Sequence, residues 1–126
     1  MLPDRGATTV SVPELKRCFR LKVIDWPVSE RDTKLECVAL DAHLLRVPLI
    51  LRNWRPGDAY QPRGAGQAQK LKRMFLAKRI PIRDRAGWPV LESDGRIVWV
   101  RDMPAAEEYR ASARTSAGVV IEEQGL

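Results

Sequence analysis

The sequence predicts an α+β fold, mostly antiparallel strands with one prominent basic amphipathic helix. Short runs with alternating apolar and polar residues recur along the 126-residue chain, the period of two that a half-buried strand needs. Turn signatures separate these runs, Pro-Gly at 56–57 and Ser-Asp-Gly at 93–95, and such turns join antiparallel neighbours. From about Ala68 the period changes to that of a helix, with Lys and Arg on its polar side.

In chain order, residues 1–12 are rich in Gly, Thr and Pro and read as a loose lead-in, followed by a single domain over 13–126. CFRLKVIDW (18–26) sets Phe19, Leu21 and Val23 against Arg20 and Lys22, a strand with one buried face. Pro27 and the polar run SERDTK predict a turn, and LECVALD (35–41) predicts the hairpin partner of the first strand. AHLL predicts a short helical turn before VPLILRNW (47–54), a third strand. In RPGD the proline presets φ and the glycine takes the positive φ of a type II turn. Leu71, Met74, Phe75 and the aliphatic stem of Lys78 then fall at i, i+3, i+4 and i+7, the stripe of a helix. Pro81 ends it at or before Ile80, because the residue preceding a proline avoids α geometry. After the loop IPIRDRAGW, PVLESDGRIVWV predicts a hairpin, and the tail predicts a short helical turn and a last strand, VVIE.

A chain of this length buries a real core but hardly accommodates two full domains. VPLIL (47–51) is among its longest apolar runs and is far too short to cross a bilayer; MLPDRGATTV lacks the apolar core of a signal peptide. Cys18 and Cys37 lie apart with no CxxC and only His43 nearby, too few ligands for zinc. They read as two buried reduced thiols of a cytoplasmic protein rather than as a disulfide.

The net charge of +6 is unevenly distributed. Between Arg52 and Arg85 there are ten basic residues and two acidic ones, +8; the other 92 residues hold twelve basic and fourteen acidic, −2. A localised excess is what a polyanion-binding surface needs and general solubility does not. The bland alternative is a solvated charged face. Against it stand the near absence of interleaved Glu and the further arginines in both flanking loops, so the charge favours nucleic acid without saying which kind.

Other chemistries find little support. GAGQAQK (64–70) lacks the Gly-Lys-Ser/Thr of a phosphate loop, since Gln67 follows Gly66 and no hydroxyl follows Lys70. It also lacks the third glycine of a dinucleotide fingerprint. His43 reads as structural, and Glu107–Glu108 and Glu122–Glu123 are adjacent pairs that point apart, so no catalytic or metal-binding set is expected. Asp58 reads as a turn-closing carboxylate that accepts backbone amides or pairs with Arg55. Trp54 and Trp88 border the basic region and suit core or rim packing better than base stacking.

ALDAHLLRVPLILRNWRPGD, QKLKRMFLAKRIPIRDRAGWPVL and GRIVWV, in that order, resemble the carboxy-terminal substrate-binding domain of bacterial tRNA(Ile)-lysidine synthetases. The likeness comprises an LR-x-x-x-PGD turn, a KLK-x-x-F helix, an IP-x-x-x-R loop, a WPVL strand and an IVWV strand, and covers roughly residues 38–110. After IVWV, Asp102 and Pro104 stand where many relatives have Gly and Arg, so no contact transfers there.

The resemblance implies a mostly antiparallel β-sandwich of unusual topology, similar to a domain in the β subunit of phenylalanyl-tRNA synthetases. The complete enzyme of the family uses ATP and magnesium to adenylate the wobble cytidine of tRNA(Ile) and then joins lysine to it. That chemistry belongs to an amino-terminal domain with an SGG-x-DS phosphate loop, which these 126 residues lack. The implied role of this chain is a cytoplasmic, non-catalytic, cofactor-free piece of a larger enzyme that grips the tRNA acceptor stem and partners the amino-terminal catalytic domain. The residues expected on tRNA are Lys70, Lys72, Arg73 and Arg79 from the helix, with Arg52, Arg55, Arg83 and Arg85 from neighbouring loops; Leu71, Phe75 and Ile80 are expected to pack. A competing expectation is a structural or protein-interaction domain that docks its basic face on an acidic surface.

Overall fold

The computed structural model describes residues 6–12, 17–27 and 33–125. All the paired strands run antiparallel. Strands β1 (Gly6–Val12), β2 (Arg17–Asp25), β3 (Leu40–Asp41) and β9 (Ala117–Gly125) form one sheet in the order β1-β2-β9-β3. A second sheet has the order β4-β7-β8, from β4 (Leu49–Asn53), β7 (Pro89–Ser93) and β8 (Arg96–Val100). A short ribbon pairs β5 (Ala59–Tyr60) with β6 (Gln69–Lys70). Three short helices, α1 (Thr33–Val38), α2 (Leu71–Ala77) and α3 (Ile82–Arg85), and a 3₁₀ turn at Glu107–Tyr109 complete the described chain.

The two sheets face one another across a shared core. Phe19, Leu21 and Val23 of β2 and Val119 of β9 meet Leu91 of β7 and Val98 and Trp99 of β8. Each side chain fully buried there contributes roughly 1.5–3 kcal/mol. Alternation along β2 puts Phe19, Leu21 and Val23 on this face, as its sequence predicts. In β8 a bulge opposite Leu91–Glu92 sends the consecutive residues Val98 and Trp99 into the same core. The other face of the second sheet, with Val90 and Val100, packs against Leu71, Met74 and Phe75 of α2. The β4-β7-β8 sheet is therefore the middle of three layers, and α2 lies on the outside.

Local turn chemistry agrees with the sequence at two joints. Asp94 and Gly95 both have positive φ, 49° and 82°, a type I′ connection between β7 and β8. In Arg55-Pro56-Gly57-Asp58, Gly57 has φ 95° and the Asp58 amide donates to the Arg55 carbonyl at 3.0 Å. A third glycine is needed for close approach: a Cβ on Gly118 in β9 would lie 2.9 Å from the Trp26 ring.

Several expectations need correction. Residues 35–38 of the expected strand 35–41 fall in α1, and only Leu40–Asp41 pair as a strand. Leu35, Val38 and Ala39 sit at i, i+3 and i+4, and the Ala39 amide donates to the Leu35 carbonyl at 2.9 Å, a helical closure. The neighbours of β2 are β1 and β9 rather than residues 35–41. Gly6–Val12, expected within a loose lead-in, pairs along its whole length with β2. The expected turn at SERDTK lies mostly outside the described residues, as do residues 1–5. The basic helix has seven residues rather than the dozen expected, and nothing about its length is prominent. Its expected first turn is instead β6, because Gln69 and Lys70 pair with Tyr60 and Ala59. One turn of helix, α3, occupies the expected loop after Pro81.

Candidate functional site

Helix α2 begins without a side-chain cap. The backbone amide of Leu71 instead donates to the carbonyl of Asp58 at 3.0 Å, so the Pro-Gly turn holds the first turn of the helix. That turn is fastened from within by Arg52. Its guanidinium donates to both carboxylate oxygens of Asp58, at 2.9 and 3.0 Å, to Glu92, and to the Asn53 carbonyl at 2.9 Å. The Arg52 and Asp58 side chains are only 9% and 13% exposed. Burial pushes the Asp58 carboxyl up, but hydrogen bonds from Arg52 and from the Arg55 amide outweigh it and hold the group below its ordinary value. The hydrogen bond to Asp58 raises Arg52 in turn.

The far end of α2 closes differently. Lys78 is the C-cap, and Arg79 follows in the left-handed region with φ 57°. The Arg79 amide donates to Leu76 and the Ile80 amide to Phe75, both at 3.0 Å, the paired bonds of a Schellman motif. Ile80 packs against the cluster that holds Phe75, the apolar contact that accompanies this motif. Arg85 secures the same end: its Nε donates to the Ile80 carbonyl at 3.0 Å, and its guanidinium lies 5.6 Å from the Phe75 ring centroid. Trp54 donates its Nε1–H to the Arg85 carbonyl at 2.8 Å. Trp54 and Trp88 both pack edge-on against Phe75, with centroids 4.9 and 5.4 Å away, so the two tryptophans are packing residues. Leu71 and Phe75 are fully buried and Ile80 partly so, as expected of packing residues.

The eight arginines and lysines expected on tRNA thus fall into two groups. Arg52 and Arg85 are buried and committed to internal partners, one at each end of α2, and they position the helix. The sequence grouped them with the surface cations because it shows charge without partners. Arg55, Lys70, Lys72, Arg73, Arg79 and Arg83 are exposed. Among the described residues the side chains of Arg55, Lys70, Lys72, Arg73 and Arg79 have no ion-pair partner, and Arg83 has only a 3.9 Å approach to exposed Asp84. Lys78, which its spacing assigned to the apolar stripe, is exposed and also unpaired, so it joins this set. Arg63 leaves it, because its guanidinium donates to the Glu36 carbonyl. The result is a concentration of exposed cations on α2 and the turns at its two ends, of which Lys70, Arg73 and Lys78 line one groove.

Among the described residues no comparable catalytic arrangement accompanies it. His43 is exposed, with Nε2 3.3 Å from the Ser116 hydroxyl. Asp41 binds the His43 backbone amide and the Thr115 hydroxyl rather than the imidazole, so these residues do not form a relay. Cys18 and Cys37 are free thiols as expected, but both are half-buried rather than buried. Among the described residues no cluster of three His, Cys, Asp or Glu side chains could hold a metal, and no helix is long and apolar enough to cross a membrane.

Residues 49–122, from β4 through most of β9 and including the cationic helix, match the family model of the TilS substrate C-terminal domain. The chain belongs to this family. Among curated relatives, the tRNA(Ile)-lysidine synthase of Solibacter usitatus is 36% identical over 119 residues, which cover 90% of this chain and 26% of that protein. The tRNA(Ile)-lysidine synthase of Geobacillus kaustophilus is 40% identical over 83 residues, covering 65% of this chain and 18% of that protein. The chain therefore corresponds to about a quarter or less of these relatives' length. A crystal structure of a TilS C-terminal domain superposes with a TM-score of 0.73 at 25% identity, covering 99% of this chain and 94% of that one. The mostly antiparallel architecture with few short helices is thus that of the TilS substrate C-terminal domain family.

Proposed function

We propose that this chain is the tRNA-gripping module of a tRNA(Ile)-lysidine synthase and that it holds the acceptor stem. The observation that carries the reading is the set of exposed cations on and around α2, namely Arg55, Lys70, Lys72, Arg73, Lys78, Arg79 and Arg83, which among the described residues have no ion-pair partner apart from the 3.9 Å approach of Arg83 to Asp84, within the segment that matches the family model. A duplex RNA stem is bound through phosphates, 2′-hydroxyls and shape, and a rigidly anchored cationic helix suits that target. In this reading a domain outside the chain uses ATP and magnesium to ligate lysine to the wobble cytidine, in the cytoplasm. The chain itself contributes binding and orientation.

The test is binding of an acceptor-stem RNA minihelix. The chain should bind it, more weakly as salt rises, and Lys72→Glu/Arg73→Glu should abolish binding while circular dichroism and melting stay unchanged. Equal binding by the double variant would remove RNA from this face. A second reading, docking on an acidic protein surface, draws on Leu76 and Ile82, which are 59% and 79% exposed beside the cations. Failure to shift the minihelix, together with self-association or capture of an acidic domain of the same enzyme that depends on Leu76, would favour it.

A further inference from the structure

A groove of about 600 Å³ runs between α2 and the chain that leads into it. Arg73 and Lys78 of the helix and Lys70 of β6 line it together with Gln67 and Gln69, and Ala68, Met74 and Ala77 supply apolar surface. Gln67 and Gln69 are exposed, and their carboxamides have no hydrogen-bond partner among the described residues.

The loop that presents them is held at both ends. At its start the Arg63 amide donates to the Ala105 carbonyl at 2.7 Å, and the Gly64 amide to the Glu107 carboxylate at 3.1 Å. Gln61 donates through Nε2 to the Ala65 carbonyl at 2.8 Å. Glu107 is itself fixed by Arg110, and these two hydrogen bonds hold its carboxyl below the ordinary value. At its end Gln69 and Lys70 pair with Tyr60 and Ala59. Only residues 66–68 lie between the two anchors, so the amides are presented from a braced segment, which lowers the ordering cost of binding.

The chemistry of the groove matches one strand of an RNA helix. Phosphates suit Lys70, Arg73 and Lys78, and the carbon face of a ribose suits the alanines and Met74. A carboxamide both donates and accepts, as does a ribose 2′-hydroxyl, so each can satisfy the other reciprocally. A groove that needed only phosphate would gain nothing from two unpaired amides lining it beside its cations. We infer that this groove seats one ribose-phosphate strand and that the Gln67 and Gln69 carboxamides engage its 2′-hydroxyls, so that the chain distinguishes RNA from DNA. This inference rests on the RNA-binding reading above and assigns it a specificity-determining pair.

The test compares an RNA minihelix with a DNA hairpin of the same sequence, each titrated against the unaltered chain and against Gln67→Ala/Gln69→Ala. The unaltered chain should prefer RNA. The double variant should lose roughly fivefold in RNA affinity per amide removed while its DNA affinity stays the same, erasing the preference. Lys70→Gln/Arg73→Gln should instead weaken RNA and DNA by the same factor. Equal affinity of the unaltered chain for both duplexes, or a preference that survives the glutamine substitutions, would overturn the inference and leave RNA binding standing. Binding of neither duplex would overturn both.

Discussion

Arg52 carries a charge that never reaches the surface. It sits on β4 with Asp58 on one side and Glu92 on the other, and Asp58 passes the constraint to α2 through the hydrogen bond from Leu71. Removing the carboxylate by Asp58→Asn leaves a buried guanidinium with Glu92 as its one acidic partner. The expected loss at neutral pH is about 3 kcal/mol, read by urea denaturation. The pH dependence has a definite sign. Because the folded pKa of Asp58 lies below its unfolded value, the stabilisation is fully present above the unfolded value and is lost as pH falls through the folded one. Stability of the unaltered chain should therefore decline below about pH 4, and the gap to Asp58→Asn should narrow there. An unchanged gap at acid pH would mean that the pair does not fasten the turn. This residue also shows what the sequence hides in the site. The density of cations in 52–85 is legible because charge is compositional, but the acids that engage Arg52 come from 6 and 40 residues away. No local pattern signals the second.

Helix α2 ends on a conformation that its sequence does not favour. Arg79 occupies the left-handed position that glycine usually fills, at a cost of roughly 1 kcal/mol to any residue with a Cβ. Arg79→Gly should thus raise stability by about 0.5–1 kcal/mol, measured as a higher denaturation midpoint, the gain being reduced by the freer unfolded chain. The same substitution should weaken RNA binding, because an exposed cation is lost beside Lys78. A variant that is both more stable and an equally good binder would exclude Arg79 from the interface. Elements follow the same division between local and distant causes. The β7-β8 hairpin is legible because Asp94-Gly95 specifies its own turn, and β2 because Phe19, Leu21 and Val23 alternate. The start of α2 is not, since whether Gln69 and Lys70 extend the helix or pair as a strand depends on Tyr60 and Ala59 across a loop. Residues 35–38 are ambiguous for a different reason: a short apolar run fits either period. β1 is overlooked because ATTVSV carries small residues, and only pairing with β2 makes a strand of it.

At the scale of the molecule, several charges outside the α2 region are paired in place among the described residues. Arg101 pairs with Glu123 at 3.1 Å, Lys22 approaches Glu122 at 3.9 Å, Arg96 meets Glu108 at 3.4 Å, and Arg110 bonds Glu107. The excess of cations between Arg52 and Arg85 is local in the sequence, and two kinds of electrostatic binding can be told apart. Contacts with phosphates release counterions, and each contributes about −0.9 to the slope of log affinity against log salt on duplex DNA, with a similar order on an RNA stem. A diffuse attraction to the whole chain depends on net charge alone. Lys70→Gln/Arg73→Gln and Arg96→Gln/Arg114→Gln remove the same two charges, but only the first pair lies on the α2 face. Titration of an RNA minihelix at several salt concentrations should show the first variant with a slope shallower by roughly two and the second with the slope of the unaltered chain. Equal slopes in both variants would mean that net charge draws RNA to this chain, and α2 would lose its role as the site of contact.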